Sequence, residues 1–415
     1  MDLNDDILSG FERGGGIKIN SKVYPTYKIP LSYLWFNDQN GRINTEVAHY
    51  KSLYPDFDFE ECKRNDLVSY NERFKHFIKE SSGDGEKSFY HTKQDIQKKG
   101  QEIPGLVLSD GRIVDGNRRF ACLLELFNET KDEKFATFEA AVFSAPSGND
   151  IDKWKQIKQI EHTLQFDNDP IRDYSRINLL NSFYTDTLCP KTRLFTKEEY
   201  CESTGMKPAD YDKDQKIVEI MLDFLKFIKH PGAFWIIKQE KLETTLENIA
   251  NEKFDLDEWM QMREVIYMHL LTTRNTDVAK NIKGLVDSAK KRTSMYPEYL
   301  DQFYEKISPD EIKQVKNIIS DKFNNVNSEI SSEQDSCLNA IGKKVDNIFN
   351  ECKMNQEIIN LENEPIAMLD RLLKDAVALA NNDAIKQMKA MQEEEFKDKL
   401  NQLQILIDKI KQNFN

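Results

Sequence analysis

The spacing of apolar positions changes near residue 115, from strand-like to helical. Leu106 to Leu108 is a short apolar run, and Ser109-Asp110-Gly111 signals a hairpin turn because Asp-Gly tolerates the positive φ such turns need. Arg112 to Val114 reads as a second short strand, broken by Asp115-Gly116-Asn117. From Arg118 the period becomes helical, with Phe120, Leu123, Leu124 and Phe127 on one face. The pattern predicts strand, turn, strand, glycine corner and helix.

Upstream, Val23 to Leu34 reads as a strand and its exit, limited by Pro25 and Pro30. Residues 45–92 read as helices, with Phe57, Phe59, Phe74, Phe77 and Ile78 supplying apolar faces, and a short helix is expected from Lys93 to Lys99. Residues 1–22 hold few apolar positions and the triplet Gly14-Gly15-Gly16, which predicts a flexible arm. Lys134 to Phe143 resembles a further strand, and Trp154 to Leu164 a helix with Trp154, Ile157, Ile160 and Leu164 on one face. Asp167 to Pro170 is expected to cap a helix running through Tyr184. Thr196 and Glu199 fit a capping box, so a helix is expected over 196–204, ended by Gly205, with the next over 207–228. That outline is compatible with a helix-turn-helix or with a plain helical hairpin. Asp210, Asp212 and Asp214 at the start of its second helix would repel DNA phosphates.

Residues 234–292 add amphipathic helices. From about residue 308 the apolar spacing alternates three and four: Ile312, Val315, Ile319, Phe323 and Val326; Cys337, Ile341, Val345, Ile348 and Cys352; Ile366, Leu369, Leu373, Ala376 and Ala380; Phe396, Leu400, Leu403, Ile407, Ile410 and Phe414. Such heptads fit coiled-coil seams or plain helical core. Breaks expected at Asn355 to Pro365 and at Asn381-Asn382-Asp383 favour a bundle or antiparallel coiled coil over one long rod.

At 415 residues the chain has room for two or three domains. The fold class expected is α+β: an arm over 1–22, a domain with a small mixed sheet over 23–165, an all-α domain over 166–305, and coiled-coil-like helices over 306–415. A net charge of −13 argues against a broad non-specific nucleic-acid surface. The six cysteines are scattered without a Cys-x-x-Cys, and no His/Cys cluster has zinc spacing. The acidic start lacks an apolar leader and no apolar run is long enough to span a bilayer, so a cytoplasmic protein without membrane contact is expected.

The chemistry concentrates at the glycine corner. A helix N-terminus flanked by Arg118 and Arg119 is a ready site for phosphate, and Gly116 lets a ligand approach the backbone. A tight turn with two solvated arginines is the alternative. Asp115 is either a capping or turn residue, or a carboxylate that orients an arginine or binds metal.

Four segments in residues 1–170 resemble, in order and spacing, the ParB/sulfiredoxin-like family, specifically the nucleotide-binding domain of ParB-type partition proteins. Phe36-Asn-Asp-Gln-Asn-Gly-Arg42 resembles its first box. Asp95 to Gly100, with Ile103-Pro104 and Leu106-Val107, is similar to its short helix, glycine and strand. Asp115-Gly-Asn-Arg-Arg-Phe-Ala-Cys122 resembles its Gly-Glu-Arg-Arg-x-x-Ala box. Ile160-Glu-His-Thr-Leu-Gln165 with Pro170 stands where the family has Glu-Asn-x-Gln-Arg and a proline. The resemblance implies a nucleoside triphosphate, CTP or ATP, bound with Mg²⁺. It places phosphate contacts on Gly116, Asn117, Arg118 and Arg119 and further cofactor contacts on Arg42 and His162. Glu161 becomes a metal ligand and catalytic carboxylate, and Asp115, where it is not a capping or turn residue, is the second candidate for both roles. The chain departs from the family at Asn117, His162 and Gln165. Where sulfiredoxins carry a catalytic cysteine stands Asn117, which argues against sulfinic acid reduction; Cys122 reads as core.

The expected function is a Mg²⁺-dependent NTPase switch in a DNA-associated bacterial, phage or plasmid system, dimerised or bound to a partner protein through the C-terminal helices. A metal-dependent nuclease, or a component of DNA modification or anti-phage defence, is the second possibility. A non-catalytic adaptor is the third.

Overall fold

The computed structural model describes residues 3–412 apart from 20–21, 82–85, 147, 169–174, 252–255, 274–277, 292, 325–328, 363–364 and 382–389. The expected α+β class is observed, with nineteen α-helices and a small mixed sheet among the described residues. None of these helices is long and apolar enough to cross a membrane.

The first 30 residues hold α1 (Asp5–Leu8), the hairpin β1 (Ile17–Ile19) with β2 (Lys22–Tyr24), and β3 (Thr26–Pro30). The flexible-arm expectation is corrected here. Leu3 and Leu8 are buried in the main core, and the Gly14 and Lys28 N–H groups bond the Thr26 and Glu12 carbonyls at 2.9 and 2.8 Å. Two leucine anchors and edge pairing to β3 dock a segment whose composition reads as linker.

After a 3-10 turn come β4 (Trp35–Phe36) and four helices: α2 (Asn44–Leu53), α3 (Phe59–Asn65), α4 (Leu67–Glu80) and α5 (Lys87–Lys99). Phe59, Phe74, Phe77 and Ile78 are buried as the pattern predicts. The predicted hairpin follows as β5 (Gly105–Leu108) and β6 (Arg112–Asp115), with Gly111 at φ 89° and its N–H on Leu108 O at 2.9 Å. Helix α6 (Asn117–Thr130) and β7 (Thr137–Phe143) complete this layer. The sheet order is β3-β7-β5-β6-β4; β4 runs parallel to β6, and β5 parallel to β7. On α6 the buried face is Phe120, Ala121, Cys122, Leu123 and Leu126, whereas Leu124 and Phe127 only flank the core.

Helices α7 (Asp150–Asn168) and α8 (Arg176–Phe183) follow. Ser175 caps α8, while the cap expected at Asp167–Pro170 falls largely outside the described residues. In α9 (Lys197–Thr204) the Thr196–Glu199 capping box forms, and Gly205 closes the helix at φ 68°. Pro208 opens α10 (Pro208–Phe227). Then come α11 (Phe234–Gln239), α12 (Glu243–Asn251), α13 (Leu256–Thr272), α14 (Val278–Lys291), α15 (Met295–Lys306), α16 (Pro309–Asn324), α17 (Ser332–Glu362), α18 (Pro365–Ala380) and α19 (Ala390–Gln412).

Two compact units result: Met1–Asp287 with Leu300–Asp346, and Ser288–Tyr299 with Asn347–Asn415. The division expected at residue 165 therefore does not separate two bodies. Ile312, Val315, Ile319 and Phe323, and also Ile341, Val345, Ile348 and Cys352, are buried and serve as helical core. The break expected over Asn355 to Pro365 falls at the end of that span: α17 continues to Glu362 and α18 begins at Pro365. In α18 and α19, by contrast, Leu369, Leu373, Leu400, Leu403, Ile407 and Ile410 remain exposed. Val326, Asn382, Asp383 and Phe414 lie outside the described residues.

Candidate functional site

The corner between β6 and α6 forms as its sequence dictates. Gly116 sits at φ 94° in the left-handed region, where a side chain is strained, and a Cβ there would lie 2.8 Å from Phe138 Cζ. Gly116 carries no side chain, so the cap position itself supplies no side-chain acceptor to the first N–H groups of α6. Asn117 is buried, and its Nδ2 reaches the Ile113 and Val114 carbonyls at 3.4 and 3.5 Å. Arg118 is half-buried. Arg119 is committed to structure: Nη1 bonds the carbonyls of Ile103 and Pro104 at 2.7 and 3.1 Å, and Nη2 bonds Asp115 Oδ2 at 2.7 Å. The second and third boxes of the sequence are thereby tied together. Asp115 is an arginine partner, one of the alternatives open for it. Cys122 is buried, which pushes its thiol up to about 12, as expected of a core residue.

The first box lies at the same end of the sheet. Because β4 pairs parallel with β6, Asn37 to Arg42 leave the sheet beside Val114 to Asn117. Arg112 Nη1 holds Asn37 Oδ1 at 3.1 Å and Asp38 Oδ1 at 3.3 Å. Burial pushes the Asp38 carboxyl up, with Arg112 opposing. The Arg112 guanidinium is sandwiched by Trp35 and Trp154, at 4.2 and 4.6 Å from the ring centroids. Three buried polar atoms here lack a protein hydrogen-bond partner: Asn37 Nδ2, Arg112 Nε and Asn117 Oδ1. Unmatched buried polar atoms cost free energy and are where a ligand's polar groups fit.

The fourth box arrives on α7. One turn after Trp154, the ammonium of Lys158 stands 3.4 Å from Glu161 Oε2 and 3.7 Å from Asp186 Oδ2, and all three side chains are buried. Ser182 Oγ donates to Asp186 Oδ2 at 3.3 Å. Gly41 covers the group: a Cβ there would lie 2.6 Å from Ser182 Oγ and 3.7 Å from Lys158 Nζ. Beside it, Asn178 of α8 bonds the Arg42 carbonyl, Thr45 Oγ1 and Glu46 Oε2, and Lys238 of α11 pairs with Glu46. Arg42 thus sits at the seam between the sheet layer and the helices.

His162, a cofactor contact implied by the resemblance, packs against α9 and the segment before it. Its Nδ1 is 3.0 Å from Ser203 Oγ on α9, and its ring packs between Phe195 and Tyr200 at 5.6 and 5.5 Å. Burial, and secondarily Lys158, lowers its pKa to about 3, so it is a neutral packing residue. The side chain of Gln165 lies outside the described residues.

The Mg²⁺ implied by the resemblance does not fit Glu161 and Asp115. Each carboxylate already has a cationic partner, and among the described residues no group of three or more His, Cys, Asp or Glu converges as metal ligands. A dication about 4 Å from the Lys158 ammonium would be repelled by about 8 kcal/mol at an effective dielectric constant of about 20.

Helices α9 and α10 pack against each other across the Gly205 turn. Tyr211 and Asp214 near the start of α10 are buried; Asp214 pairs with Arg176 at 2.5 Å, and Asp212 with Lys197 at 2.5 Å. Pro208, Ala209, Asp210, Asp212 and Lys213 stay exposed at that helix start, where the aspartates would repel DNA phosphates.

Sequence reasoning missed Lys158, Asp186, Asn178 and Arg112. Lys158 and Glu161 are spaced i, i+3 on one helix, a signal present in the sequence. Asp186 and Asn178 carry none, because they are brought in by α8 and the turn after it. Comparison of the chain with protein-family models, curated proteins and solved structures gives no match.

Proposed function

We propose that the chain is a nucleotide-binding switch that takes CTP or ATP at the end of the β4/β6 strand pair. One observation carries this reading: the first three boxes meet at that end, beside the glycine-led start of α6, and Lys158, one turn before Glu161 of the fourth, stands next to Gly41 of the first. Crevices at the carboxyl ends of parallel strands, next to a helix N-terminus, are the favoured place for phosphate ligands in sheets of this kind. The switch element is the seam of Asn178, Thr45 and Glu46, which couples the first box to α8 and α11. Equilibrium binding of radiolabelled CTP, ATP, GTP and UTP tests the reading. Preference for one nucleotide, weakened at least tenfold by Arg118→Ala and by Arg42→Ala, supports it; no binding to any of the four refutes it.

A second element of the proposal is self-association. Rows of apolar side chains stay exposed on α18 and α19, a surface that a second copy of the chain would cover. Leu372 and Leu379 widen the α18 seam beyond a two-stranded a/d stripe, which suits a bundle of two helices from each of two copies. Sedimentation equilibrium decides: a dimer lost in Leu373→Glu/Ile407→Glu supports this element, and a monomer at all concentrations refutes it.

A further inference from the structure

We infer that Lys158 is the resident cation of this site, standing where the family pattern sets a divalent ion, so that nucleotide binds without a metal. The inference rests on the nucleotide reading above. Two buried carboxylates from separate segments, Glu161 on α7 and Asp186 after α8, flank one ammonium at 3.4 and 3.7 Å. Two carboxylates around a central cation is the arrangement expected of a Mg²⁺ site, except that the cation is covalently tethered and needs nothing from solution. The placement is built in. Trp154, one turn earlier, is fixed over Arg112, and the missing side chain at Gly41 leaves room for Ser182 Oγ, with the ammonium beside it under the first box. Ser182 and Thr185 supply hydroxyl donors to Asp186, so with the ammonium the second carboxylate is held by three partners. The ammonium thus lies between the first and fourth boxes, where a bound metal would link them.

Two measurements on the purified full-length protein test this. The first is nucleotide binding in Mg²⁺ and in EDTA. Dissociation constants agreeing within about twofold are expected. Binding that weakens tenfold or more in EDTA overturns the inference while leaving the nucleotide reading intact. The second is Mn²⁺ titration followed by electron paramagnetic resonance, without nucleotide, so that it judges Lys158 even if no nucleotide binds. The wild-type protein is expected to hold no Mn²⁺ that Glu161→Gln removes. Lys158→Met is expected to gain one Mn²⁺ site that Glu161→Gln abolishes. A wild-type Mn²⁺ site lost in Glu161→Gln, or a folded Lys158→Met protein that gains none, overturns the inference. If Lys158→Met does not fold, the wild-type arms of both measurements decide.

Discussion

Acidification destabilises the protein through His162, and the size of the effect follows from the structure. The ring is buried between Phe195 and Tyr200, with its pKa lowered from 6.5 to about 3. Between those values the unfolded chain binds a proton that the native chain refuses, so stability is fully present above about pH 6.5 and falls as pH drops. At about pH 5 the group is about 1.5 units below its unfolded value, which corresponds to about 2 kcal/mol at about 1.4 kcal/mol per unit. His269, also buried and lowered to about 4, contributes a similar loss over the same window. Urea unfolding at about pH 7.5 and about pH 5, in wild type and His162→Gln, separates the two. The variant is expected to lose about 2 kcal/mol less than wild type. The comparison reads the difference between the two pH values, so any uniform destabilisation by the substitution drops out. Equal losses in both proteins would show that His162 titrates normally in the native state, as a solvent-facing cofactor ligand would, and would refute its assignment to the core.

Gly342→Ala places a Cβ against the Thr272 carbonyl oxygen where α17 crosses the end of α13, and is expected to cost about 1–3 kcal/mol in urea unfolding. Gly116→Ala forces a side chain into the left-handed region and toward Phe138; a loss of about 1–2 kcal/mol from the backbone alone is expected by the same assay. Arg119→Ala strips its guanidinium donors from the Ile103 and Pro104 carbonyls and from Asp115, so a loss of about 1–3 kcal/mol is expected, with or without nucleotide present. Iodoacetamide labelling read by mass spectrometry should modify Cys189 first and Cys122 and Cys352 last. Burial works against the Cys189 thiolate, but hydrogen bonds from Thr192 and the Lys191 N–H outweigh it and lower its pKa, whereas Cys122 is buried and pushed up to about 12.

Local chemistry alone determined the elements around the candidate site. Asp110-Gly111 made the hairpin, Gly116 the left-handed corner, and Thr196 with Glu199 the capping box, because each depends on backbone preferences within a few residues. The aromatic face of residues 57–78 was legible for the same reason, since helical periodicity registers which side is apolar. What periodicity leaves open is what covers a face. Ile312 to Phe323 and Ile341 to Cys352 carry the same three-four spacing as Leu400 to Ile410, yet the first two rows are buried and the third is exposed. The partners of charges were equally beyond reach. Arg118 and Arg119 are adjacent in sequence, but the β5 approach supplies two carbonyls that commit Arg119 to structure. His162 follows Glu161 directly, yet the helical turn of about 100° per residue sends one into the packing of α9 and the other toward Lys158 and Asp186. Which residues form local structure was thus written in the chain itself. Which distant charges meet was decided only by the tertiary structure, because pairs such as Lys158–Asp186 and Lys238–Glu46 join segments that only packing brings together.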